Sequence, residues 1–85
     1  MASPGYGLNE IRDAIKRMVA DVTERSPEEI SNTAHFQEDL GIDSLLAMEL
    51  MVSMDKKYKI DIPEEEFQKI KNVDDAVAAV ERYLN

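Results

Sequence analysis

The sequence predicts an all-α fold, a small four-helix bundle of three main helices plus one short helix. Three observations carry that expectation. Apolar residues recur at three- and four-residue steps after Leu8 and again after Asn72. A run without Gly or Pro extends from Ser44 to Tyr58. The one stretch that alternates like a strand, residues 59–62, has no partner strand elsewhere in the chain.

Residues 1–7 mix Pro, Gly and Ser without periodicity and read as a tail, so the folded domain is expected over 8–85. Leu8, Ile11, Ile15, Met18 and Val22 then line one side of a first helix whose other side carries Arg12, Asp13, Lys16, Arg17 and Asp21. Ser26-Pro27-Glu28-Glu29 reads as a cap, a first-position proline and a glutamate able to reach back, giving one short turn ending near Ser31. Phe36, Leu40 and Ile42 are spaced to pin the following polar loop across the bundle, with Gly41 permitting a turn. Asp43 is a good N-cap for a second helix over 44–58, about 22 Å long at ~1.5 Å per residue. Residues 59–62 form an extended connection. Pro63 opens a short third helix with Glu64, Glu65 and Glu66 at its positive end and Phe67 and Ile70 as core contacts. Asn72 caps the last helix, whose buried face is Val73, Ala76, Val77, Val80 and Leu84.

Composition narrows the function. With 85 residues and 44% hydrophobic content the chain supports one small core, so function has to sit on one compact face. Ten Lys and Arg against 18 Asp and Glu give a formal net charge of −8, which repels phosphate backbones and anionic lipid. Nucleic acid and membrane are therefore not expected partners, and basic patches on other proteins are. The absence of Cys excludes disulfides, thiolate metal sites and a Cys nucleophile. No signal-peptide pattern or membrane-length apolar run is present, and a cytoplasmic monomer is expected. His35, the single histidine, has no Ser and Asp at a catalytic spacing, and the acidic pairs lack the ligand alternation of a calcium loop. No active site is expected.

The second helix carries more apolar surface than one core needs. Projection at about 100° per residue puts Ala47, Leu50, Met51, Met54 and Tyr58 on the core arc, while Leu45, Met48 and Val52 form a second stripe beside Glu49. Either this helix is central and packs on both sides, or the second stripe docks a partner. Ser44, next to Asp43 in the first turn, lies where unpaired backbone N–H groups favour a phosphate, although a serine there is also ordinary capping chemistry.

Glu38-Asp39-Leu40-Gly41-Ile42-Asp43-Ser44-Leu45, followed by Met48-Glu49-Leu50 and Ile62-Pro63-Glu64, closely resembles the acyl carrier protein family. The family motif is an Asp-Ser-Leu triplet at the start of the second helix after a Leu-Gly-x turn, matched here by Asp43, Ser44 and Leu45. The resemblance runs from about Leu8 to Leu84 and implies an acyl carrier domain over 8–85. It implies a covalent 4′-phosphopantetheine arm, taken from coenzyme A by a separate phosphopantetheinyl transferase and attached to Ser44. It further implies a non-catalytic carrier of acyl thioesters in fatty-acid or polyketide biosynthesis. Its partners would be acyl-transferring and condensing enzymes with basic docking patches, facing Glu38, Asp39, Asp43, Leu45, Leu46, Met48, Glu49 and Val52.

Leu46 stands where many fatty-acid carriers have an acidic or polar residue, and Lys56, Lys57 and Lys59 stand where those carriers are acidic. Both departures make a polyketide or other specialised pathway as compatible as a fatty-acid one. The Gly41-Ile42-Asp43 step lacks the Gly-Gly common in peptidyl carriers, which places an aminoacyl or peptidyl carrier behind. A different class, an unmodified acidic adaptor docking through Leu45, Met48 and Val52, shares every feature except the arm.

Overall fold

The computed structural model describes residues 7–84. Along it run α1 (Leu8–Thr23), a 3-10 turn (Pro27–Glu29), α2 (Ser44–Tyr58), the short α3 (Glu64–Phe67) and α4 (Val73–Tyr83). Among the described residues there is no strand. The tail expected at residues 1–7 lies, apart from Gly7, outside them.

Side chains and tight turns fix the helix ends. The Gly7 N–H donates to Glu10 Oε1 at 3.2 Å at the start of α1. Glu24, left-handed at φ 58°, ends that helix, and the Arg25 N–H closes back on the Ala20 carbonyl at 2.8 Å. The Ser26 N–H donates to Glu29 Oε1 at 3.2 Å, the reach-back the sequence implies, although the turn stops at Glu29 and not near Ser31. Asn72 Oδ1 accepts the Asp75 N–H at 2.8 Å, and Asp75 Oδ2 in return accepts the Lys71 N–H at 3.0 Å. Lys59, at φ 54°, turns the chain out of α2, and Asp55 Oδ1 then accepts the Ile62 N–H at 3.3 Å. Residues 60–62 are thereby tied to the helix as an irregular connection, and Ile62 is driven into the core.

The core forms where α1 packs against both α2 and α4. It combines Ile11, Ile15 and Val19 of α1 with Leu50, Met54 and Tyr58 of α2 and Val73, Ala76, Val77 and Val80 of α4. Phe36, Leu40 and Ile42 insert from the long loop, and Phe67 and Ile70 close one end, as their spacing implies. Leu8 departs from expectation: it is 47% exposed. It shares the angular face of Ile11 and Ile15, but side chains lean toward a helix's N-terminus, and in the first turn that direction leads past the end of the bundle. Val19 and Ala20 are buried instead, because α1 is covered from two sides, while Met18, Val22 and Leu84 are only half-buried against the core.

Candidate functional site

Ser44 is the first residue of α2, and the loop before it is closely tied down. The Asp39 and Leu40 N–H groups both donate to the His35 carbonyl, at 2.8 and 3.2 Å, forming a turn. That turn is clasped by its own side chains: Asp39 Oδ2 accepts the His35 N–H at 2.8 Å and His35 Nδ1 accepts the Glu38 N–H at 3.1 Å. Gly41 follows at φ 69°, a conformation that costs a residue with a Cβ about 1–2 kcal/mol. It reverses the chain so that the Ile42 N–H meets the Phe36 carbonyl at 2.9 Å and Ile42 is buried. Asp43 then caps α2, its Oδ1 accepting the Leu46 N–H at 3.0 Å. Ser44 emerges exposed, and its hydroxyl makes no hydrogen bond among the described residues.

Beyond Ser44 the two faces of α2 separate as the periodicity implies. Leu50, Met54 and Tyr58 are buried, with Ala47 and Met51 half-buried beside them. Leu45, Met48 and Val52 are 66%, 55% and 47% exposed, which removes the alternative that this stripe is a second packed face. Together with Asp21, Val22 and Glu49 they line a shallow open groove of about 480 Å³ between α1 and α2. Of the other expected docking residues, Glu38, Asp43 and Glu49 are exposed, and none of them is in an ion pair among the described residues. Leu46 is half-buried and packs against the core, so only part of it reaches the surface. Asp39 is exposed, but one of its oxygens is held in its own turn.

A second concavity lies on the other side of Ser44. It is a cleft of about 140 Å³ whose lining includes His35, Phe36, Ile42, Ala47 and Lys71. Lys71 comes from the segment before α4, far from the motif in sequence, and was not among the expected site residues. The sequence holds no local signal for it: the cleft exists because the Phe36 N–H donates to the Lys71 carbonyl at 2.8 Å and the Asp74 N–H to the Asn32 carbonyl at 3.1 Å.

A family model described as "Phosphopantetheine attachment site" matches residues 13–80. An acyl carrier protein of Wolinella succinogenes is 42% identical over 71 residues, 84% of this chain and 93% of that protein. The chain belongs to the acyl carrier protein family. Among solved structures, an acyl carrier protein from Enterococcus faecalis superposes with a TM-score of 0.78 at 18% identity, over 92% of this chain and 99% of that one. The apo doublet acyl carrier protein from prodigiosin biosynthesis gives a TM-score of 0.77 at 25% identity over 88% of this chain, which spans 36% of the doublet. The family carries phosphopantetheine and its members are in general carriers, not catalysts. The residues here fit such a group, because an exposed, unbonded hydroxyl at a helix start leaves room for a phosphodiester. No described helix is long and apolar enough to cross a membrane.

Proposed function

We propose that Ser44 is the attachment point of the 4′-phosphopantetheine arm and that the chain carries acyl intermediates for fatty-acid or polyketide assembly in the cytoplasm. The observation that carries this reading is the exposed, unbonded Ser44 hydroxyl at the start of α2, within the matched attachment-site region. In the loading step the Ser44 Oγ forms a bond to the pantetheine-bearing phosphorus of coenzyme A, the P–O bond of the pyrophosphate linkage breaks, adenosine 3′,5′-bisphosphate leaves, and the serine proton passes to a base. That base belongs to the transferase: His35 lines the neighbouring cleft, but its Nδ1 already accepts the Glu38 N–H. When bound, the arm supplies the thiol this chain lacks and holds the cargo as a thioester.

The chain's own residues position and present. Asp43 fixes the first turn of α2 and so the direction in which Ser44 points. Leu45, Met48 and Val52 offer an apolar strip to partner enzymes, Glu49 lines the same groove, and the exposed Glu38 and Asp43 before α2 add charge suited to basic patches. On this reading the chain acts as a monomer that docks first to a transferase and then to acyl-transferring and condensing enzymes, one small face serving all of them in turn.

The exposed stripe also suits the adaptor reading, and an aminoacyl or peptidyl carrier would share the arm. Intact mass after incubation with coenzyme A and a promiscuous phosphopantetheinyl transferase decides between arm and adaptor. A gain of one phosphopantetheine is expected. An unchanged mass, with a known carrier modified in the same reaction, would leave the adaptor.

A further inference from the structure

The end of α2 far from Ser44 departs from the acidic character of the chain. Of the Lys and Arg residues, Lys16, Arg25, Lys56, Lys57, Lys59 and Lys71 are in no ion pair among the described residues, and three of these fall within residues 56–59. All three are exposed. Asp55 and Asp61, the carboxylates beside them in sequence, are in no ion pair with them, and Asp55 Oδ1 accepts the Ile62 N–H instead. Lys56 follows Val52 by four residues and Glu49 by seven, so it continues the exposed stripe of α2. Lys57 lines a groove of about 600 Å³ between α1 and the end of α2. The apolar lining is Ala14, Met18 and Tyr58, and the Lys57 ammonium stands 5.8 Å from the centre of the Tyr58 ring. The other charged groups there are occupied: Arg17 pairs with Asp13 at 3.1 Å, and Glu10 Oε1 accepts the Gly7 N–H. A helix dipole favours lysines in a last turn, but it does not account for an open apolar groove beside them.

We infer that this groove seats an acidic segment of a partner protein, its carboxylates drawn to Lys56 and Lys57 and one apolar side chain set against Ala14, Met18 and Tyr58. Such docking extends the face proposed above and rests on α2 meeting partners, not on the arm. Charge selects the occupant. A basic segment is attracted near Glu38, Asp43 and Glu49 and repelled by the lysines at the other end, and an acidic segment has the opposite preference. Asp43 and Lys56 are about 20 Å apart along the helix. The Debye length at physiological salt is about 8 Å, so the two ends attract separately. A partner with a basic and an acidic patch at that separation docks in one direction only, which fixes how Ser44 is presented to it.

The test is amide chemical-shift mapping on the full chain, titrated with a blocked glutamate-rich peptide that carries one central phenylalanine. Shifts should fall on Ala14, Met18, Lys56 and Lys57 and spare the equally unpaired Arg25 and Lys71. Alanine in place of the peptide's phenylalanine should weaken binding about tenfold, the effect of one apolar side chain left unburied. Lys57→Gln should weaken it about two- to fivefold, the range for one exposed ion pair, with an unfolding midpoint near that of wild type, and Lys57→Arg should restore it. A lysine-rich counterpart peptide, run in parallel, should shift Glu38, Asp43 and Glu49. No shift there overturns the docking reading and this inference with it. Shifts there, with none in the groove from the glutamate peptide, overturn the inference alone, as do shifts spread evenly over Arg25 and Lys71. Groove shifts on concentrating the protein by itself would make a second copy the occupant and overturn the partner segment.

Discussion

At the residue scale, neighbours on one helix have opposite fates. Met48 is 55% exposed and Leu50 fully buried, two residues apart in α2. Truncating a buried leucine costs about 2–5 kcal/mol, whereas a surface substitution stays within about ±0.5 kcal/mol. Leu50→Ala is therefore expected to lower the denaturant midpoint sharply, and Met48→Ala to leave it nearly unchanged while weakening transferase or synthase binding. Equal stability losses would place Met48 in the core. Asp55 supplies a pH dependence. Burial raises its carboxyl above the ordinary 3.8; the Ile62 N–H opposes that rise and the charge of Asp61 adds to it. A folded value above the unfolded one means stability is fully present below 3.8 and is lost as pH rises through the raised value. Asp55→Asn keeps an acceptor for Ile62 and stays neutral. Unfolding curves across the acid range should show the variant gaining on wild type as pH rises, and a gain that shrinks instead would contradict the sign.

At the scale of elements, the turn before α2 makes Gly41 a sensitive position. Nothing lies within 4 Å of a Cβ built there, so Gly41→Ala meets no clash and its cost comes from φ 69° alone. A loss of about 1–2 kcal/mol is expected in equilibrium unfolding; a neutral result would mean that the turn relaxes. How much of each element was legible depended on whether its signal was local. Asp43 and Asn72 were readable as caps, and both bond the N–H three residues on. The apolar steps of α2 gave both its buried and its exposed face. Leu8 misled because periodicity records direction around a helix axis but not whether anything lies opposite. Lys71 was invisible for a similar reason: a backbone bond between loop and pre-α4 segment, not a pattern, brings it beside Ser44.

For the whole molecule, the proposed function asks charge and fold to serve one face. On the proposed reading, the acidic surplus behind the net charge of −8 attracts a basic partner at long range and the exposed strip of Leu45, Met48 and Val52 supplies contact. Association rates with a basic partner enzyme are expected to fall with added salt, and Glu49→Gln to slow association at low ionic strength. A rate insensitive to both would confine recognition to Leu45, Met48 and Val52. The bundle itself does not depend on the Ser44 hydroxyl, which bonds to nothing described. Ser44→Ala should therefore fold like wild type, with the same helical signal and unfolding midpoint. The most direct test is to incubate both proteins with coenzyme A and transferase, measure intact mass, and map the modified peptide. Wild type should gain one phosphopantetheine on the peptide containing Ser44 while the folded alanine variant gains none; an arm on the variant, or on any other residue of the wild type, would contradict the assignment of Ser44.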